Sequence, residues 1–332
     1  MWWNNSAVRR KLIPLYYTLC TIFLAGCAQK PYKETRLLMG TMVEITIRDN
    51  EARAKDAADK AFKKIEELEK ILSVYRKDSE ISTLNRTGKV NPSPEFMQVI
   101  KESIRAGDIT EGAFDITVAP IVSLWGFGPP SNVGQTFRSA KNNPPAEKEI
   151  KKALALVNYK NIVIDEKNNL IYFKKKGMQV NLGGIAKGYA VDRAIDVLKK
   201  EGIKKAIINA GGDLYAMGIT WRIGIKHPRK EGILKTIVLK NKTIATSGDY
   251  EKFFIGTYEG KKKQFHHIFD PRTGYPAQGC ISATVIAPAC TTADWLSTGV
   301  FVLGPEKGLT LLKKLGGQGI IVNSDKKIFS NL

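Results

Sequence analysis

The sequence predicts an α+β protein with mostly antiparallel sheets flanked by helices, in two lobes with the active site in the cleft between them. Two observations carry this prediction. From residue 213 to 288 one β-rich segment follows another, which favours antiparallel pairing over the strict strand–helix alternation of a parallel fold. Helical periodicity is confined to a few long blocks, and no tandem repeat or low-complexity linker divides the chain.

Each element has its own signal. Residues 37–48, "LLMGTMVEITIR", alternate and are β-branched, reading as a strand. Ala58, Ala61, Phe62, Ile65, Leu68 and Leu72 recur at helical spacing within 54–72, and 95–106 reads as a second helix. Residues 142–158 read as a loop and then a helix opened by proline. "NIVIDEKNNLIYF" reads as a hairpin with a Lys-Asn-Asn turn. From 178 the order is strand, glycines, helix (185–200), strand (205–209) and glycines again. Helices near 292–303 and 305–315 and a last hairpin end the chain.

The first residues read as a targeting signal. Arg9, Arg10 and Lys11 precede an apolar run that ends in Leu24-Ala25-Gly26-Cys27, the pattern of a bacterial lipoprotein signal. Cleavage would leave the Cys27 sulfur to carry lipid. The expected organisation is therefore a signal peptide over 1–26, a lipidated tether over 27–35 and one domain over 36–332. The protein would be exported and anchored to the membrane, facing the periplasm or cell exterior. Residues 1–26 hold three basic residues and no acidic one, so their loss takes the formal charge from +20 to +17. That surplus suits lipid headgroups or phosphorylated ligands, and export argues against nucleic acid. Cys280 and Cys290 remain; two cysteines make no disulfide framework, and both read as strand residues.

Four segments carry candidate chemistry. In "TTADWLSTGVFVLG", Thr291 or Thr292 can cap a helix. Asp294 and Thr298 lie one turn apart, about 6 Å along the axis, and can reach one hard cation. Spacing alone favours the plainer reading, in which Asp294 serves the helix dipole and Thr298 bonds back to the helix. In "FHHIFDPRTGYP", His266 and His267 point to opposite faces of a strand, ahead of a turn at 270–274. Too few histidines exist for a zinc site of that type, but one can act as a base. "TEGAFDITVAPIVSLWGFG" has no clear period and suits the wall of a flat ligand's site, or a loop with Phe114 and Trp125 in the core. "NLGGIAKGYAVD" (181–192) and "NAGGDLYAMG" (209–218) place glycine pairs at strand ends, for close backbone approach or for turns.

Together with "MGT" (39–41), "SVYRKDSEISTLN" (73–85), "WRIGIKHP" and "IATSGDYEKFF", these segments resemble the FAD:protein FMN transferase (ApbE) family over nearly all of the mature chain. The resemblance implies an Mg²⁺-dependent enzyme that moves FMN from FAD onto a Thr or Ser hydroxyl of a partner protein and releases AMP. It implies flavin-carrying subunits of membrane redox complexes, of the Rnf or quinone-reductase type, as acceptors. Carried over by position, Met39, Tyr75, Ala113, Phe114, Asp115, Asn181, Lys187 and Ile268 contact FAD. Gly184 through its carbonyl, Asp294 and Thr298 bind Mg²⁺, and His267 is the base. Asn181 stands where many relatives have Asp; it can hydrogen-bond to nucleotide but brings no charge. The same residues leave two other activities open: an FAD pyrophosphatase giving FMN and AMP, and a non-catalytic flavin-binding lipoprotein.

Overall fold

The computed structural model describes residues 30–128 and 144–332. The expected signal peptide and Cys27 lie outside the described residues. The chain opens with β1 (Tyr32–Leu38) and β2 (Thr41–Ile47), so the stretch expected as one strand is a hairpin. Leu38 pairs with Thr41, which leaves Met39 and Gly40 as a two-residue turn with φ of +54° and +70°. Both positions of such a turn need positive φ. Met39 is not a residue type that signals a turn, and the alternation on either side hid it. β1 begins inside the stretch read as a tether.

A long excursion separates β2 from its next sheet neighbour. Helix α1 (Glu51–Leu72) is capped by the Asn50 side chain and buries Ala54, Ala58, Ala61, Phe62, Ile65, Leu68 and Leu72. A short helix not expected from the sequence, α2 (Glu80–Thr87), is capped by Ser79 and stopped by Gly88 in the left-handed region. There follow β3 (Lys89–Val90), α3 (Pro94–Ile109), a 3₁₀ turn at Ile116–Val118 and α4 (Ala119–Leu124). The segment read as an irregular wall is thus partly helical. α5 (Glu147–Leu154) comes next, then β4 (Ile162–Asp165) and β5 (Leu170–Phe173), the expected hairpin. The stretch expected as a strand from 178 joins no sheet. The Asn85 side chain replaces the partner strand: Nδ2 donates to the Val180 carbonyl (2.9 Å) and Oδ1 accepts the Val180 N–H (2.7 Å).

The second half holds α6 (Ala186–Lys200), β6 (Ala206–Ala210), β7 (Asp213–Met217), β8 (Trp221–Lys226), β9 (Ile233–Leu239) and β10 (Lys242–Gly248). It continues with β11 (Phe253–Tyr258), β12 (Lys261–His266), β13 (Cys280–Ala287), α7 (Cys290–Leu303), α8 (Pro305–Lys314), β14 (Gln318–Asn323) and β15 (Ile328–Ser330). Eight strands form one sheet in the order β1-β2-β6-β7-β10-β13-β14-β15, with every pairing antiparallel.

Helices α1, α6 and α7 cover one face of this sheet, over Val43, Ile45, Ala206, Ile208, Ala283 and Val285. The β8–β9 hairpin covers the other: Ile225, Ile237 and Leu239 meet Leu214, Ile244, Ile286 and Ile320. Coverage on both faces explains why β13 is buried at every position. A smaller aromatic core surrounds Trp125, whose indole donates to the Gly274 carbonyl (3.0 Å) and whose ring lies 5.3 Å from Phe265 and 5.8 Å from Phe269. The two parts of the molecule are therefore unequal. Cys280 and Cys290 are both buried free thiols; Cys280 is in β13, whereas Cys290 opens α7 rather than lying in a strand.

Candidate active site

Between the large core and the Trp125 cluster runs a cleft of about 540 Å³. Met39, Tyr75, Ala113, Phe114, Asp115, Asn181, Gly184, Lys187, His267, Ile268, Asp294 and Thr298 all line it, although they come from widely separated parts of the chain. A second cavity of about 520 Å³, beside Tyr258, Lys263 and Arg272, contains none of them.

One wall is built by the segment that leads into α6. The Asn181 N–H donates to the Ile116 carbonyl (2.7 Å), and its Oδ1 accepts the Gly183 N–H (2.7 Å). The glycine pairs at 183–184 and 211–212 serve different ends. A Cβ on Gly184 would lie 3.0 Å from Thr298 Oγ1 and 3.1 Å from Phe114 Cε2, so this glycine permits close approach of α7. Gly211 and Gly212, with φ of +60° and +102°, form the turn between β6 and β7.

α7 enters the cleft beside α6. No threonine caps it: its first turn is capped from α6 by Asp192, which accepts from the Cys290 and Thr291 N–H groups. Asp294 Oδ2 accepts the Gly188 N–H (2.9 Å) in the first turn of α6, a favourable place for a carboxylate. Thr298 Oγ1 is 3.1 Å from Ser247 Oγ, and its contact back to the Asp294 carbonyl is long at 3.5 Å.

Lys187, expected from the resemblance to contact FAD, sits among carboxylates. Its Nζ is 2.9 Å from Asp213 Oδ2 and 3.6 Å from Asp294 Oδ1, and it donates to the Gly183 carbonyl (3.2 Å). The Asp213 and Asp294 side chains are only 4% exposed, whereas Lys187 keeps 27% at the cleft. Burial raises the pKa of both aspartates, and for Asp213 the neighbouring Asp294 adds to the rise. Burial opposes the Lys187 charge, but Asp213 and Asp294 outweigh it and hold the ammonium protonated. Asp213 Oδ2 accepts no aligned hydrogen bond, so its link to Lys187 is a charge contact. Two buried carboxylates thus flank one ammonium, and burial lifts Asp213 to about 7.

The oxygen donor set is the test for a cation. Among the described residues no three His, Cys, Asp or Glu side chains gather as a metal cluster. Mg²⁺ needs no such cluster: it takes oxygen ligands, one or two carboxylates and phosphate or water. Asp294, the Thr298 hydroxyl and the adjoining Gly184 backbone offer that donor set, so the residues fit the ion.

Across the cleft, His267 is half-buried. Its Nδ1 lies 3.1 Å from the Lys252 carbonyl oxygen, which can only accept, so Nδ1 carries the proton and Nε2 keeps its lone pair. Burial, then the Lys252 charge, pushes its pKa down from 6.5 to about 3. The ring is neutral near pH 7. His266 points the other way and is consumed structurally: Nε2 donates to the Ala277 carbonyl (3.0 Å), and Nδ1 accepts from the Ile268 N–H.

Ala113, Phe114 and Asp115 are buried at the cleft's floor. Asp115 Oδ1 accepts from the Thr117 N–H (2.7 Å) and hydroxyl (2.6 Å), while Oδ2 accepts the Tyr159 N–H (3.0 Å). It therefore fixes the backbone of this run. Tyr75 is 54% exposed at the rim. Sequence reasoning assigned no role to Asp213, Ser247 or Asp192. Asp213 and Ser247 lie in the segments quoted above, but only packing of the β6–β7 turn and the end of β10 against α6 and α7 reveals them.

A neutral imidazole opposite oxygen donors, with apolar walls between, suits a flat, phosphorylated ligand. Comparison with known proteins then supplies the family. Residues 39–321 match the ApbE family model, and this chain belongs to the ApbE family. The FAD:protein FMN transferase of Haemophilus influenzae is 34% identical over 316 residues, spanning 88% of this chain and 86% of that protein. The enzyme of the same name from Vibrio cholerae is 33% identical over 306 residues, 87% of each. The ApbE protein of Thermotoga maritima superposes with a TM-score of 0.81 at 33% identity, covering 91% of this chain and 97% of that one. The flavin transferase ApbE from Vibrio cholerae gives 0.74 at 29% identity, covering 90% and 97%.

Proposed function

We propose that this protein is an Mg²⁺-dependent FAD:protein FMN transferase, exported and lipid-anchored through Cys27. Its acceptors are flavin-carrying subunits of membrane redox complexes, of the Rnf or quinone-reductase type. Membership of the ApbE family and the names of its relatives support the reaction. Leu24-Ala25-Gly26-Cys27 supports the anchor. No helix of the described residues is long and apolar enough to cross a membrane.

The observation that carries the chemistry is the tautomer of His267, whose Nδ1–H is engaged by Lys252 while Nε2 is free to accept. A Thr or Ser hydroxyl of the acceptor gives its proton to Nε2 as its oxygen attacks the FMN phosphorus. The new O–P bond replaces the P–O bond to the AMP phosphate, and AMP departs with that electron pair. Such a transfer relies on placement and charge neutralisation more than on covalent help from the protein. Apolar residues at the cleft, among them Phe114, Leu182 and Ile268, hold the flavin part in place. Gly184, Asp294 and Thr298 would hold Mg²⁺, which when bound supplies neutralisation of the pyrophosphate charge.

Product analysis tests this reading. With FAD, Mg²⁺ and an acceptor, AMP should appear in equal amount to flavin bound covalently to the acceptor. AMP accompanied by free FMN, with an unlabelled acceptor, would make the protein a pyrophosphatase.

A further inference from the structure

We infer that Asp213 is a positioning residue of the cation site: it holds the Lys187 ammonium so that Asp294 keeps one oxygen for the metal. The inference rests on the reading of Asp294 as an Mg²⁺ ligand.

The geometry is asymmetric. Asp294 has two oxygens, and Oδ2 already accepts the Gly188 N–H at 2.9 Å. Oδ1 is the oxygen left to bind a cation, and it is also the one that faces Lys187, at 3.6 Å. Lys187 Nζ lies closer to Asp213 Oδ2, at 2.9 Å. Asp213 itself is 3% exposed, is the first residue of β7 and is fixed by the glycine turn before it. Its Oδ2 has no aligned hydrogen-bond donor, and its ion-pair partner is Lys187; Asp294 also lies beside it.

An ammonium and a divalent cation compete for the same oxygen, and in a site shielded from water that competition is strong. Asp213, the nearer carboxylate at 2.9 Å against 3.6 Å for Asp294, settles it by drawing Lys187 to its own side. With the Asp213 carboxylate removed by substitution, the nearest carboxylate left for the ammonium is Asp294, and its free oxygen would be occupied. Asp213 would then act on the metal without ligating it, as partners behind metal ligands do.

Metal affinity, rather than turnover, tests this. Mn²⁺ binding to the purified full chain can be followed by electron paramagnetic resonance, and Mg²⁺ by competition. Asp213→Asn should weaken Mn²⁺ binding by roughly 10–100-fold, the range seen when such supporting partners are removed. Lys187→Met should bind at least as tightly as wild type. The double variant, which removes both charges and so leaves no lone buried ammonium, should recover the affinity of Lys187→Met within a few-fold. Unchanged affinity in Asp213→Asn would overturn the inference. So would a double variant as weak as Asp213→Asn, because Asp213 would then be a ligand or a purely structural residue. Absence of Mn²⁺ binding by the wild type would instead strike at the cation site, and would overturn both readings.

Discussion

The carboxylate of Asp192 on α6 receives the backbone N–H of Cys290 at 2.8 Å, and so caps a helix about a hundred residues further along the chain. It also accepts from the Thr291 N–H (2.8 Å) and the Thr291 hydroxyl (2.6 Å). Asp192 ends the segment that carries Gly184 and Lys187, and α7 carries Asp294 and Thr298. One side chain thus fixes the two walls that bring the oxygen donors together.

Replacing Asp192 with Ala should cost about 2 kcal/mol of stability, because buried donors at the start of α7 lose their acceptor. A lower urea midpoint with an unchanged slope would show this. Cation affinity should fall with it, since Asp294 and Thr298 depend on the placement of α7.

Gly188 stands where α6 and α7 touch. A Cβ there would lie 2.3 Å from the Cys290 carbonyl oxygen and 2.8 Å from Asp294 Cβ, and neither can move without shifting α7. Gly188→Ala should therefore destabilise the protein by about 1–3 kcal/mol despite the better helix propensity of alanine. Thermal melting checks it; a variant as stable as wild type would mean that the helices part easily.

Removing Asn85 should have a cost that contacts between apolar groups would not suggest. In Asn85→Ala both polar groups of Val180 lose their partner, at about 1–3 kcal/mol for a buried group left unpaired. Hydrogen exchange should show faster loss of protection at the Val180 amide than at β6.

The depressed pKa of His267 makes a pH prediction. Its folded value of about 3 lies below the ordinary 6.5, so between these values the unfolded chain binds a proton that the folded chain refuses. The stability that His267 withholds from protonation is present above pH 6.5 and is lost as pH falls towards 3. His267→Gln should flatten the decline in melting temperature between pH 7 and pH 5. The acid limb of kcat/KM for transfer should also fall below pH 6.5.

Much of this fold was legible in periodicity. α1 and α3 follow apolar spacing that burial repeats closely, whereas α6 and α7 are buried on most sides. What escaped depends on contacts distant in sequence. Met39 adopts positive φ in a turn that its residue type does not announce. Residues 178–182 have the pattern of a strand, but a side chain supplies the partner. The cleft residues were found through family resemblance more than through spacing, since spacing alone favoured a helix-dipole role for Asp294 and a back-bond to the helix for Thr298. Asp213 had no local signal: an aspartate after two glycines is an ordinary turn residue until the turn is seen against Lys187.

In the proposed reaction one cleft transfers FMN, and His267 takes the acceptor's proton there. Its most direct test is the intact mass of an acceptor incubated with FAD and Mg²⁺ and either wild type or His267→Ala, with FAD affinity measured in parallel. Wild type should add the mass of one FMN, His267→Ala should label at least about 100-fold more slowly, and FAD affinity should stay within a few-fold. Labelling by His267→Ala at the wild-type rate would contradict that reaction.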